Sequence, residues 1–469
     1  MRIHRTLALV AAVLLVGAVG TASAQNYGTD ARKIAMGGSG GDSANIASGM
    51  VDKASPYTAI VLPLGLLQIF KGGFDKFDPT NDDFDPVRAI EDATNPIHYT
   101  FGRGTTDTGQ AFIHDLVNGN INQALTTYGG FKIPTSARAQ GLGMPQGGGT
   151  IKFSKNKTTG AFQGIYFGAG PYLGFDTNLS VAQPLATMLG TGTGTACVAC
   201  RVDNTSRVQI GMAVTLGYRG RVALANTQNA RDGVYVAYNY HILRGFRYLD
   251  ATNVVIVDTN AAGQLAPPSV ANPVVIMSTQ GKKGTGRSSD MGFVVVKNFF
   301  EVGFGINGIG NRMTWTDFEQ QQFQMSALYN GGVEIDFTEV PVTTTLTELE
   351  VKMPIVISES LAFRAAGWGF MGSLAQKKAG SSSPGVVAMG YDEKSFHGGI
   401  ERQFGPLWLR GGGRYSRDKW DPTYGFGIGN KVALDVGFYG THANLEGKRQ
   451  TTMAISVRFN HAPRPPAQQ

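Results

Sequence analysis

The stretch from Arg207 to Arg219 restricts the fold more than any other. Val208, Ile210, Met212, Val214, Leu216 and Tyr218 alternate there with Arg207, Gln209, Gly211, Ala213, Thr215, Gly217 and Arg219. Successive side chains of a strand point to opposite faces, so this is a strand with one apolar face and one polar or small face. It is long enough to cross a bilayer, for which about 9–11 tilted residues suffice. The rhythm returns in Val234, Val236, Tyr238 and Tyr240, and in Leu349, Val351 and Met353 set against Glu348, Glu350 and Lys352. It returns again in Val432, Leu434, Val436 and Phe438, and in Met453, Ile455, Val457 and Phe459 against Thr452, Ala454, Ser456 and Arg458.

A soluble β-sandwich also alternates, so period two alone does not place the chain in a membrane. Two collective features do. The face opposite the apolar one carries Gly, Ala, Thr and single charges, which suits a tight or wet barrel interior. Aromatic residues gather near strand ends, as interfacial girdles require: Phe299-Phe300, Trp368 with Phe370, Trp408, Tyr415 with Trp420, and Phe438-Tyr439. The expected fold is all-β: a closed antiparallel transmembrane β-barrel of about 12–14 strands, since closure alone satisfies every backbone amide in lipid. An N-terminal plug and periplasmic segment containing a short helix would precede it.

Composition agrees. The chain has 64 glycines, 26 phenylalanines and 16 tyrosines among 469 residues, with only 16% charged, which describes strands and turns and not a helical cytosolic enzyme. A mean hydropathy of −0.09 fits a barrel, in which only every second strand residue meets lipid.

Export is read from the first residues. Arg2, His4 and Arg5 precede the apolar run Leu7 to Val19, and Ala22-Ser23-Ala24 supplies the small residues a signal peptidase inspects, so cleavage is expected after Ala24. The formal charge of +7 then falls by Arg2 and Arg5 to +5, with no long basic block, which argues against a nucleic-acid partner. The expected organisation is a signal peptide over 1–24, the plug and periplasmic segment over 25–147, the barrel over 148–460 and an irregular tail over 461–469 marked by Pro463, Pro465 and Pro466. Ile113, Leu116, Val117, Ile121, Ala124 and Leu125 share one helical face and place the short helix between Thr108 and Tyr128.

Few motifs point to chemistry. Cys197 and Cys200, in a Gly/Thr-rich stretch of an exported chain, are expected to form a local disulfide. Gly303, Gly305 and Gly308 match a dinucleotide fingerprint, but Gly310, Asn311 and Trp315 break the helix that should follow. The acidic run from Asp75 to Asp85 lacks the glycine and closing glutamate of an EF-hand and reads as a solvated turn. The seven histidines have no zinc-binding spacing. Ser395, His397 and Glu401 share one face of a strand, yet a spacing of two arises cheaply, and they are taken as lumen-facing polar residues. Neither an enzyme nor a cofactor is called for.

The mature N-terminus, Asp30-Ala31-Arg32-Lys33-Ile34-Ala35-Met36-Gly37-Gly38-Ser39-Gly40, resembles the opening of a superfamily of outer-membrane barrels that includes FadL-type transporters, PorV-type secretion proteins and TraF-like barrels. The resemblance implies that Ala31, Arg32, Met36, Gly37 and Gly38 belong to a plug inside the barrel. The aromatic Phe459 ending the last strand resembles the signal read by the bacterial barrel-insertion machinery. The function expected from all this is a plugged outer-membrane channel for passive uptake of hydrophobic or small solutes. Outer-membrane lipid, the insertion machinery and a hydrophobic small-molecule ligand are its partners. A barrel serving as a scaffold for secretion, surface attachment or assembly of a protein partner is the alternative.

Overall fold

The computed structural model describes residues 31–38, 45–48, 50–51, 60–63, 99–101, 136–143, 148–156, 158–191, 196–224, 231–260, 265–266, 269–270, 273–325, 337–342, 346–416, 419–429, 432–441 and 450–459. The expected signal peptide, the acidic run at 75–85, the helix expected at 108–128 and the C-terminal tail lie outside the described residues.

Alternation of apolar and polar residues makes strands over most of the chain. In order they are β1 (Ile60–Pro63), β2 (Tyr99–Phe101), β3 (Ser136–Gly143), β4 (Gly148–Lys155), β5 (Phe162–Val181), β6 (Cys197–Ala223), β7 (Gly233–Thr259), β8 (Leu265–Ala266), β9 (Val274–Lys297) and β10 (Phe300–Met325). There follow β11 (Phe337–Val340), β12 (Glu348–Lys352), β13 (Ile355–Ala365), β14 (Trp368–Lys378), β15 (Val386–Ala388), β16 (Glu393–Phe404), β17 (Leu407–Ser416), β18 (Lys419–Ile428), β19 (Val432–Thr441) and β20 (Gln450–Phe459). Helices among the described residues include α1 (Ala31–Ala35), at the Ala-Arg motif, and α2 (Gln183–Thr191), between β5 and β6.

All the strands belong to one sheet, and the long pairings are antiparallel. One edge row is made of β3 and β4, both against β5. Then come β6, β7, β9 and β10, followed by a row in three pieces, β11, β12 and β13, each paired with β10. The rows continue through β14, β16, β17, β18, β19 and β20, and β1 and β2 line the far side of β20. Among the described residues this makes fourteen rows. Strand therefore reaches upstream of Gly148, because β1, β2 and β3 are part of the wall.

Among the described residues the sheet is not closed: the pairings stop at β1 and β2 on one side and at β3 and β4 on the other. These edges are short pieces whose sequence neighbours lie outside the described residues. The sheet nevertheless curls back on itself. Gln140 of β3 bonds both ways to the Tyr391 backbone just before β16, at 3.1 and 3.0 Å, although seven rows separate the two strands.

The two ends of the sheet differ. Tight turns join β9 to β10, β13 to β14 and β16 to β17 at one end. Ala366 and Gly367, with φ of 49° and 78°, form a two-residue turn of the kind that matches strand twist. The other end carries α2 and the longer connections, and there β5, β6, β7, β9 and β10 run on to between 20 and 27 residues, well past the length needed to cross a bilayer. Strands β14 and β16 to β20, at 10–12 residues, have about the crossing length.

Candidate functional site

Along the parts of the long strands nearer the tight turns, burial separates the two faces in the opposite sense to a soluble protein. On β6, Val214 is 50% exposed while its neighbour Thr215 is 1% exposed. Ile210, Met212, Leu216 and Tyr218 share the exposed face, joined by Val236 and Ile242 on β7, Met291 and Phe293 on β9, Val302 on β10, Leu361 on β13 and Leu409 on β17. The buried face carries Gln209, Arg219, His241, Asp290, Glu401, Arg410, Asp421 and Asp435.

The N-terminal segment lies on that buried face. In α1, Ala31, Ile34 and Ala35 are fully buried, and Met36 is nearly so. The helix stops where the Gly38 amide bonds to the Lys33 carbonyl, with Gly37 and Gly38 both at positive φ, a conformation that costs a glycine little. A track of glycines on the wall receives the segment. A methyl group at Gly437 would stand 2.5 Å from the Ala31 oxygen, one at Gly425 2.7 Å from the Ala35 Cβ, and one at Gly399 2.5 Å from Met36. The chain seats this closely only because those wall positions lack side chains.

Polar contacts fix the register of the seat. The Ala31 amide donates to Ser456 Oγ at 3.1 Å, and the Gly37 amide to Thr423 Oγ1 at 2.8 Å. The Thr423 hydroxyl donates in turn to the Ala35 carbonyl at 3.0 Å. Arg32 grips Glu401 with both ends of its fork, at 2.5 and 3.1 Å. Glu401 also accepts from Arg410 Nε at 3.3 Å, and Arg410 reaches Asp435 at 2.7 Å, so two cations and two carboxylates alternate from α1 across β16, β17 and β19. The Arg410 and Asp435 side chains have no exposed surface, so each charge depends on its partner for solvation.

Ser395, His397 and Glu401 do not assemble into a catalytic group. His397 Nδ1 lies 2.6 Å from the Gly37 carbonyl, which can only accept, so Nδ1 carries the proton and Nε2 accepts from Ser395 Oγ at 2.9 Å. Glu401 is committed to Arg32 and Arg410, and the histidine serves as another tie on the N-terminal segment. The glycines of the nucleotide-like motif fall inside β10, which continues as strand.

The second part of the segment rests on another stretch of wall. Ala47, Met50 and Val51 pack with Tyr235 and Ala237 of β7 and with Val294 and Val296 of β9. Asn45 Nδ2 donates to the Phe293 carbonyl at 3.2 Å. The β13 and β14 rows lie between this wall and the α1 wall.

Above that anchor, toward the end with the long connections, the interior has two further layers. The first is polar: His241 bridges Thr215 Oγ1 at 2.8 Å and Asp290 at 2.7 Å, and Asp290 accepts the Gly308 amide at 2.9 Å within an irregular part of β10. The second is apolar. Tyr172, Leu243, Tyr248, Met313, Trp315, Leu349, Val351, Met353 and Met389 form one buried cluster drawn from β5, β7, β10, β12 and the residues flanking β12 and β15. Gln209 ties it together, receiving the Trp315 indole N–H and donating to the Tyr172 hydroxyl. Sequence reasoning missed this layer: Tyr172, Leu243 and Trp315 look like ordinary inner positions, and Leu349, Val351 and Met353 read as an outward apolar face.

Of the charges that alternate with apolar residues on β6, Arg219 is buried and Arg207 pairs with Asp250 at 2.9 Å; Arg410 on β17 is buried as well. Glu348, Glu350 and Lys352 share the outward face of β12, opposite to buried Leu349 and Val351. Cys197 and Cys200 are bonded to each other at the far end of β6, packed with Leu185 and Ala186 of α2. The Ala199 and Ser269 amides donate to the Asp258 carboxylate there. Phe459 is the last residue of β20, paired with Val432 and with Ile60.

No family model matches the chain, and no curated protein sequence matches it. Solved structures similar to it include hydrocarbon channels and porins. A TodX deltaS2S3 mutant monoaromatic hydrocarbon channel is 13% identical, with 66% of this chain and 87% of that one covered at a TM-score of 0.34. The Pseudomonas putida toluene transporter TodX is 12% identical, covering 64% and 82% at 0.32. The Ralstonia pickettii toluene transporter TbuX is 10% identical, covering 64% and 80% at 0.31. Likeness at this level fixes neither family nor substrate, and the functional reading rests on the chain's own surface and interior.

Proposed function

We propose that the chain is an outer-membrane β-barrel channel through which hydrophobic or small solutes enter passively, with residues from Ala31 to Val51 as its plug. One observation carries the reading: large apolar side chains cover the exposed face of the sheet, while charged and polar residues, together with the N-terminal segment, occupy the buried one. In water an apolar outer face of this extent would drive aggregation; in lipid it is what a strand wall must present.

A solute entering from the end with the long connections meets the apolar layer around Trp315, then the polar layer around His241, then the plug. Passage needs the apolar layer to part and the plug to shift or leave a side path. The Arg32–Glu401 pair and the His397 tie set how firmly the plug is held. The Cys197–Cys200 bond stiffens the outer rim, and Phe459 closes the strand that the insertion machinery reads. Cleavage after Ala24 frees the mature chain.

Purified full-length mature protein in a planar bilayer, with uptake of a labelled apolar solute into vesicles measured in parallel, tests this. Conductance or uptake supports it. Absence of both in vesicles that contain inserted protein overturns it.

A further inference from the structure

The outward face of the sheet carries a row of cations that nothing within the described residues explains. Arg287 on β9 stands directly opposite Arg312 on β10, which stands directly opposite Lys352 on β12. Cross-strand neighbours on one face lie about 4.5–5.5 Å apart at Cβ, and like charges so placed repel. Arg244 on β7 faces the same way, diagonal to Arg287. Glu350 is the one carboxylate in reach among the described residues, shared at 3.8 Å from Arg312 and 3.6 Å from Lys352. Arg244 and Arg287 have no acidic partner among the described residues. Higher on the same strands the cations are paired, Lys283 with Asp317 and Lys282 with Glu319.

The height of the row is informative. Arg287 is ten residues along β9 from its end at Lys297, beside the tight turn, and at a strand tilt near 40° that is about 25 Å of height. The apolar belt of a barrel is about 25 Å tall. Met291 and Phe293 fill the belt below Arg287, and Ile242 stands directly opposite it on β7. The row therefore sits at the upper edge of the apolar belt, where headgroups of the outer leaflet begin, with the Thr285 and Thr314 hydroxyls on the next level of the same face.

We infer that Arg244, Arg287, Arg312 and Lys352 bind the phosphorylated saccharide headgroup of an outer-leaflet glycolipid, whose acyl chains lie against the apolar belt below. Clustered guanidinium groups suit phosphate, which they engage through two parallel N–H bonds. The inference rests on the barrel reading above.

The test uses full-length mature protein in detergent, titrated with bisphosphorylated lipid A and with the same lipid after removal of both phosphates. Each basic residue near an anionic lipid surface is worth about fivefold in affinity. The variant Arg287→Gln/Arg312→Gln/Lys352→Gln should bind the phosphorylated lipid ~100-fold more weakly, and Arg287→Gln alone about fivefold more weakly. Lys297→Gln, an exposed cation at the tight-turn end of β9 and ten residues from Arg287, should change nothing. Insertion into phosphatidylcholine vesicles reports on the barrel separately. Equal binding by parent and triple variant, both inserting normally, or equal binding of the dephosphorylated lipid, would overturn the headgroup site and leave the barrel standing. Failure of the parent to insert would overturn the barrel and the site with it.

Discussion

Replacing Gly437 by alanine should unseat the N-terminal segment without harming the wall. The new methyl would stand 2.5 Å from the Ala31 carbonyl oxygen and 3.2 Å from the Ala35 nitrogen, where ordinary contact begins near 3.4 Å, so α1 must retreat by about 1 Å. That retreat stretches the Ala31 to Ser456 bond, now 3.1 Å, and disturbs the seat of fully buried Ala31 and Ala35. Overpacking of a tight site costs about 1–3 kcal/mol, so the unseated population should rise ~5–150-fold. Alanine suits a strand better than glycine does, so loss of strand stability is not expected to contribute. The probe is Met36→Cys, whose parent side chain is 1% exposed, labelled with a membrane-impermeant maleimide in the inserted protein. The two native cysteines are bonded to each other and stay silent. Gly437→Ala should speed labelling at position 36 at least fivefold, whereas Gly372→Ala, whose methyl would meet nothing closer than 3.8 Å, should not. Equal labelling rates in all three backgrounds would refute the seating argument.

Three other outcomes follow from the same interior. Glu401→Gln leaves Arg32 and the fully enclosed Arg410 short of a counter-charge and should cost about 3–5 kcal/mol, read from denaturant unfolding in detergent. Trp315→Ala empties the middle of the apolar layer; it should destabilise by about 3–5 kcal/mol and raise single-channel conductance, and unchanged conductance would remove that layer from the solute path. Cys200→Ser opens a four-residue loop, for which chain entropy gives about 2 kcal/mol; protease sensitivity should rise at the α2 end, while insertion and conductance stay as in the parent.

The outward-facing half of this architecture was legible in the sequence, because outward positions within an apolar belt are apolar and period two follows directly. Val208 to Tyr218 is the clearest instance, and its exposed and buried sets fall as the alternation requires. What fills the inside was not legible. The contact of Arg32 with Glu401 spans 369 positions, and that of Gln140 with the residues before β16 spans 251. Neither leaves a local pattern. The glycine track is equally hidden: Gly399, Gly425 and Gly437 look like ordinary barrel glycines until α1 is laid on them. Helix α2 went unnoticed because Gln183 to Thr191 is short and ends in Gly/Thr-rich chain. The overhang of β5 to β10 was missed because alternation shows where a strand runs and not where the membrane stops. Glu348, Glu350 and Lys352 alternate like inner residues yet point outward for a related reason: beyond the belt, an outward position is free to be charged.

The central claim is that the exposed apolar face meets lipid while the buried face encloses the polar interior. Single nitroxide labels at positions 210 to 218 of β6, read in bilayers for collision with oxygen and with a polar nickel reagent, test it most directly. Oxygen collisions should peak at the even positions 210, 212, 214, 216 and 218, and be suppressed at the odd positions between them. Uniform accessibility along the strand, or preference for the polar reagent at the even positions, would contradict it.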